Sequence, residues 1–96
     1  MLEIKIEKSF KKDIQRDKNS GQYSKKDFEL LKFIILKLQK EESIEEVFKR
    51  HLLKGNMKDL ESIHIKGDWL LVFFIDNNFL NLVMLGKHTQ VYKKFK

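Results

Sequence analysis

The sequence predicts an α+β domain of order β-α-α-β-β-β, with helices packed on one face of a mostly antiparallel sheet. Three observations carry this expectation. The chain opens with strict alternation, Leu2, Ile4 and Ile6 against Glu3, Lys5 and Glu7, which is the period of a half-buried strand. Its middle holds apolar residues at helical spacing behind a capping signal, and its second half holds three apolar segments bounded by turn-forming residues. With 96 residues there is chain enough for one core and too little for two, so residues 1–96 are read as a single domain.

Each element follows from local sequence. The first strand covers about residues 2–7. Phe10 and Ile14 then lie four apart among Lys8, Lys11, Lys12, Asp13, Arg16 and Asp17, which predicts a short polar helix, mostly facing solvent, that ends near Asn19-Ser20-Gly21. Ser24-Lys25-Lys26-Asp27 has the form of a capping box, and Phe28, Leu31, Ile34, Ile35 and Leu38 recur behind it. A second helix over about 25–40 is therefore expected to pack on the sheet. Glu41, Glu42, Glu45 and Glu46 form an acidic patch at a short turn or helix, where a helix N-terminus favours negative charge. Gly55-Asn56 marks a turn, and strands are expected over Leu60–Lys66, Trp69–Ile75 and Phe79–Leu85. The segment from Trp69 is apolar on both faces and should be central; Asp76-Asn77-Asn78 supplies hairpin chemistry after it.

Composition narrows the function classes. A hydrophobic fraction of 42% with 35% charged residues describes a soluble globular chain. The longest apolar run, Trp69–Ile75, is far short of the roughly 20 residues of a membrane span, and the charged start does not resemble a secretory signal. A cytoplasmic protein with no membrane partner is expected. The absence of Cys removes thiolate nucleophiles, disulfides and cysteine-ligated zinc. No phosphate-binding glycine loop, nucleophile elbow or dinucleotide fingerprint is present, so no small-molecule cofactor is expected. Twenty basic against 14 acidic residues give a net charge of +6, which favours polyanionic partners, nucleic acid first and an acidic protein second.

The chemistry-bearing residues are the three histidines, His51, His64 and His88, each in a different segment. Imidazoles titrate near neutrality, so two or three that converge can give and take protons in one reaction. On its strand His64 shares a face with Leu60, Ser62 and Lys66, opposite Ile63 and Ile65, and should point away from the helices. His88 follows Gly86 where the chain leaves the last strand, and His51 falls in the loop before the second strand. None of the three has metal-ligand spacing, so an acid–base site without metal is expected. Asp68, beside Gly67 in a tight turn, can orient an imidazole, transfer a proton or merely cap the turn. Trp69 and Tyr92 are surfaces on which an unstacked base can lie, with plain core the stronger reading of Trp69. Lys8, Lys11, Lys12 and Arg16 on the first helix, and Lys87, Lys93, Lys94 and Lys96 in the tail, either hold phosphates or keep the protein soluble.

Three blocks bring these residues together: Phe48-Lys49-Arg50-His51-Leu52-Leu53-Lys54-Gly55, His64-Ile65-Lys66-Gly67-Asp68-Trp69-Leu70-Leu71-Val72 and Leu85-Gly86-Lys87-His88-Thr89-Gln90-Val91-Tyr92. Their order and separation, over the second half of the chain, resemble the YafQ branch of the RelE/ParE toxin superfamily. The resemblance implies a RelE-like fold and the toxin of a bacterial type II toxin–antitoxin system, partnered by a cognate antitoxin protein. It further implies a ribosome-dependent mRNA endonuclease in which the ribose 2′-hydroxyl attacks the adjacent phosphate. The site residues implied are His51, His64, Asp68 and His88, with Trp69 and Tyr92 at the aromatic positions; beside them Lys66, Lys87 and Arg50 are read as substrate-binding cations. His88 is assigned as acid, His64 or Asp68 as base, and His51 to positioning or phosphate contact.

The chain departs from that pattern at Met84, where the family usually carries an arginine able to stabilise charge on the phosphate. Lys87 or Lys66 can compensate, or cleavage is weak. The alternative is a toxin-like domain that has lost efficient catalysis and acts mainly by binding antitoxin or RNA. Gyrase inhibition, as in ParE relatives, is a third reading that the histidines disfavour.

Overall fold

The computed structural model describes residues 1–53 and 59–93. Strands β1 (Glu3–Ile6), β2 (His51–Leu52), β3 (Glu61–Lys66), β4 (Trp69–Asp76) and β5 (Phe79–Lys87) form one sheet in the order β1-β5-β4-β3-β2. Helices are α1 (Lys8–Ser20), α2 (Lys25–Gln39) and α3 (His88–Lys93). All pairs are antiparallel except β1 with β5, which run parallel with Ile4 opposite Leu80. The α+β class, the mostly antiparallel sheet and the central position of β4 match expectation.

Local signals explain the boundaries. Gly21, at φ 75°, ends α1 in the left-handed region that a glycine enters without penalty. Ser24 and Asp27 form the capping box reciprocally, Ser24 Oγ accepting from Asp27 N–H and Asp27 Oδ2 from Ser24 N–H. The turns at Gly67-Asp68 and Asn77-Asn78 are two-residue hairpin loops, with Gly67 and Asn77 at positive φ. The expected turn at Gly55-Asn56 lies outside the described residues.

Both faces of β4 are buried, and each has its own core, where the chain length predicts a single one. Trp69, Leu71 and Phe73 join Leu31, Ile34 and Leu38 of α2 and Phe10 of α1 on the helix side. Leu70 and Val72 join Leu53, Met84 and Val91 on the other. Three other features differ from the sequence expectation. A short third helix, α3, places Val91 in the second core; six residues with one buried position carry too little periodicity to announce it. His51 lies in strand β2, paired with Ser62, rather than in a loop. Helix α1 does not merely face solvent, for Asp13 and Asp17 are each 4% exposed and point at the sheet.

Candidate active site

Sheet register gathers the histidines. His64 lies opposite Leu70 and Ser62 opposite Val72, so both belong to the face away from α1 and α2, and His51 pairs with Ser62 on the same side. The imidazole of His64 stands between the other two, with ring centres 6.1 Å from His51 and 5.1 Å from His88. Tyr92, one turn along α3 from His88, stacks on it at 5.6 Å and 21°, and its side of the row is open, with the residue 41% exposed. Four rings therefore line one face, in the order His51, His64, His88, Tyr92.

Hydrogen bonds fix these rings unequally. His51 Nδ1–H donates to the carbonyl of Lys49 at 2.8 Å, which leaves Nε2 as an acceptor facing the Ser62 hydroxyl at 3.4 Å. Asp68 Oδ1 accepts both the backbone N–H of His88, at 3.1 Å, and its Nδ1, which leaves Nε2 of that ring to exchange protons. This carboxyl is held below its ordinary range chiefly by the side-chain hydrogen bond from His88, then by the backbone one. His64 Nδ1 is buried without a hydrogen-bond partner among the described residues. Its pKa is lowered first by burial, then by the charges of His88, Lys49 and His51, so the neutral imidazole is favoured at neutral pH. A neutral base beside a carboxylate-bound imidazole is an arrangement able to move protons in opposite directions.

The aromatic and cationic assignments divide. Tyr92 is on the histidine face, whereas Trp69 is not. Trp69 is 1% exposed on the helix side, stacked 4.2 Å from Tyr23, with Phe28 edge-on and its indole N–H donated to Asp17 at 2.8 Å. It is core, and no base can reach its faces. Lys66 also leaves the histidine face, because a register shift between His64 and Lys66 sets it opposite Trp69, and its Nζ bonds Asp27 of α2 at 3.1 Å. Arg50 is bound to both carboxylate oxygens of Glu61 and lies over Phe73, a residue of the helix-side core. Lys87 stays close, its charge acting on Asp68. Of the basic stripe on α1, Arg16 is committed to Asp13, Asp17 and the Leu85 carbonyl.

Two site residues escaped the sequence reading. Ser62 shares its parity with His64, a signal that alternation offers, but nothing local marks a buried serine as a histidine partner. Lys49, at φ 50°, presents its carbonyl to His51 and its charge to His64, and it borders with His64 a hollow of ≈ 340 Å³. Met84 is 4% exposed in the second core, under the histidine face. A larger, mainly apolar groove of ≈ 500 Å³ runs between β1, α1 and α2 and shares no residue with the histidine row. Among the described residues no three His, Asp or Glu side chains are grouped to hold a metal ion, and no helix is long and apolar enough to cross a membrane.

Comparison with known proteins agrees with the fold. The mRNA interferase toxin YafQ of Escherichia coli K12 is 31% identical, over 82% of this chain and 98% of its own. A copper-bound mutant toxin from Helicobacter pylori superposes with a TM-score of 0.85 at 34% identity, covering 95% of this chain and 99% of that one. The toxin of the E. coli DinJ–YafQ toxin–antitoxin complex shares the fold, with a TM-score of 0.82 at 21% identity over 95% and 97%. Residues 2–93 match the family described as the YafQ bacterial toxin of type II toxin–antitoxin systems, and the chain belongs to that family.

Proposed function

We propose that the protein is an endoribonuclease toxin that cuts mRNA on the ribosome and is held inactive by a cognate antitoxin. The observation that carries this reading is the convergence of His51, His64 and His88 on one sheet face, with Asp68 bonded to His88. His64, neutral and partly buried, takes the proton of the ribose 2′-hydroxyl. The 2′-oxygen then bonds to phosphorus, the bond from phosphorus to the 5′-oxygen breaks, and His88 Nε2 delivers a proton to that leaving oxygen. The products are a 2′,3′-cyclic phosphate and a 5′-hydroxyl. Asp68 is bonded twice to His88 and so orients the acid, which leaves the base role to His64. Protein groups alone supply these proton transfers. His51, its tautomer set by Lys49, is placed for phosphate contact, and Lys49 and Lys87 contribute positive charge beside His64 and Asp68. Tyr92 offers the open stacking surface for a base.

The antitoxin is supported by family membership, and the basic surface suits both it and ribosomal RNA. The test is primer extension on mRNA incubated with programmed ribosomes and wild-type protein or His88→Ala. Discrete cuts made by wild type and lost in His88→Ala are expected; a folded wild type that cuts neither ribosome-bound nor free mRNA would leave a binding protein instead.

A further inference from the structure

Helix α1 turns a set of polar side chains inward, which a solvated helix does not do without compensation. Burying carboxylates is unfavourable unless they are paired and hydrogen-bonded, and here the pairing is made with one strand edge. Strand β1 covers that edge of β5 only as far as Leu82, where Glu7 N–H donates to the Leu82 carbonyl. Beyond it, α1 side chains take over. Ser9 Oγ donates to the Val83 carbonyl, Asp13 Oδ2 accepts from Leu85 N–H at 3.0 Å, and Arg16 Nη2 donates to the Leu85 carbonyl at 2.8 Å. The spacing of Ser9, Asp13 and Arg16 puts them on one helix face, so the helix replaces a missing strand by side chains.

The same face reaches β4. Asp17 Oδ2 accepts the Trp69 indole N–H at 2.8 Å, and Arg16 bridges the two aspartates, Nη1 to Asp13 at 3.1 Å and Nε to Asp17 at 3.0 Å. Trp69 directly follows Asp68, and Leu85 stands three residues before His88. Between Leu85 and His88, Gly86 lies so near the network that a β-carbon there would stand 3.0 Å from Arg16 Nη2 and 2.9 Å from Gln90 Oε1. Gln90 Oε1 in turn accepts the Lys87 N–H at 2.9 Å, fixing the turn from β5 into α3. One helix face thus grips the chain next to both members of the Asp68–His88 pair, from the side of the sheet opposite the histidine row.

We infer that Asp13, Arg16 and Asp17 form a positioning network that sets the geometry of the Asp68–His88 pair without touching RNA. The inference rests on the proposed ribonuclease reading only in its kinetic consequence; its geometric claim stands on the pair itself. A reacting group displaced by about 1 Å loses up to about a hundredfold in rate. Breaking a network that served stability alone would lower the melting temperature and leave the pair as it was.

The experiment follows the three imidazoles by NMR titration in wild type, Asp68→Asn, Arg16→Lys, Asp13→Asn and Gly86→Ala, beside kcat and KM for RNA cleavage. His51 is the internal reference, since Lys49 and Ser62 hold it and α1 does not. In Arg16→Lys the His88 titration should move toward that of Asp68→Asn while His51 stays, with kcat lower by about 10- to 100-fold and KM little changed. Asp13→Asn keeps an acceptor for Leu85 N–H and should show the smaller effect. Gly86→Ala perturbs the same contact from the strand side and serves if Arg16→Lys fails to fold. Folded variants with an unmoved His88 titration, or His88 and His51 moving together, would overturn the positioning role. Should wild type cleave no RNA, the titrations alone decide between these outcomes, so the two proposals fail separately.

Discussion

Replacing Trp69 by Phe separates a core tryptophan from a base-binding one. The substitution keeps a ring between Tyr23 and Phe28 but removes the indole N–H that Asp17 accepts at 2.8 Å in a buried setting. A hydrogen bond to a charged acceptor contributes about 1.5–3 kcal/mol, and the smaller ring leaves a void of about 40 Å³, worth about 1 kcal/mol more. Arg16 still pairs with Asp17, so the carboxylate is not stranded and the lower end of the first range applies. The expected loss is about 2.5 kcal/mol, which in a domain of this size lowers Tm by about 10–20 °C. Thermal and urea melts followed by circular dichroism measure it. RNA affinity, taken at a temperature where both proteins are folded, should stay within about twofold, because mutations outside a contact surface act on stability instead. A Tm lowered by less than about 4 °C, with RNA binding reduced tenfold or more, would refute the burial of Trp69 and restore it as a stacking platform.

Three further outcomes are expected. Met84→Arg puts a cation under the histidine face, at a cost of several kcal/mol in stability for placing a charge in the apolar second core; in the folded variant cleavage should rise by about 10- to 1,000-fold, and an unchanged rate in the ribosome assay would mean that Lys49 or Lys87 already supplies the charge. His64 has its folded-state pKa below the ordinary 6.5, so its contribution to stability is present above that value and is lost as pH falls through the folded pKa; the urea midpoint of wild type should drop more steeply below pH 6.5 than that of His64→Gln, and parallel profiles would contradict the burial. Binding to ribosomes or RNA should weaken as salt rises, since lysines release counterions on meeting phosphate; an affinity unchanged between low and physiological salt would exclude the basic surface as the docking face.

The sequence disclosed what is local and concealed what depends on a partner segment. Alternation in residues 2–6, the Ser24–Asp27 box and the turn residues at Gly67 and Asn77 each act within a few residues, so the elements they define were legible. The parity that aims His64 away from the helices held, and brought Ser62 with it. It failed for Lys66, because one register shift between His64 and Lys66 inverts every parity beyond it and no local composition announces the shift. Asp13 and Asp17 read as solvated charges, since their ligands, Leu85 N–H and the Trp69 indole, lie more than fifty residues away in sequence. Arg50 resembled a phosphate contact for the same reason: Glu61 and Phe73, which occupy it, come from other strands.

The parallel pairing of β1 with β5 has a kinetic meaning. Strands β3, β4 and β5 are joined by two-residue turns and can zip together as a meander, forming local contacts early. Joining Glu3–Ile6 to Phe79–Leu82 closes a loop of most of the chain, an entropic debt that only the finished meander can repay. The N-terminal strand and the helix behind it are therefore expected to dock after the meander has formed, an order that folding kinetics of variants in β1 and in β4 would check. His64 and the strand end that leads to His88 belong to the meander, whereas the grip of α1 on Leu85 and Trp69 comes only with that docking. On the proposed reading, a folding chain would hold the imidazole of His64 in its strand before α1 has set the Asp68–His88 pair.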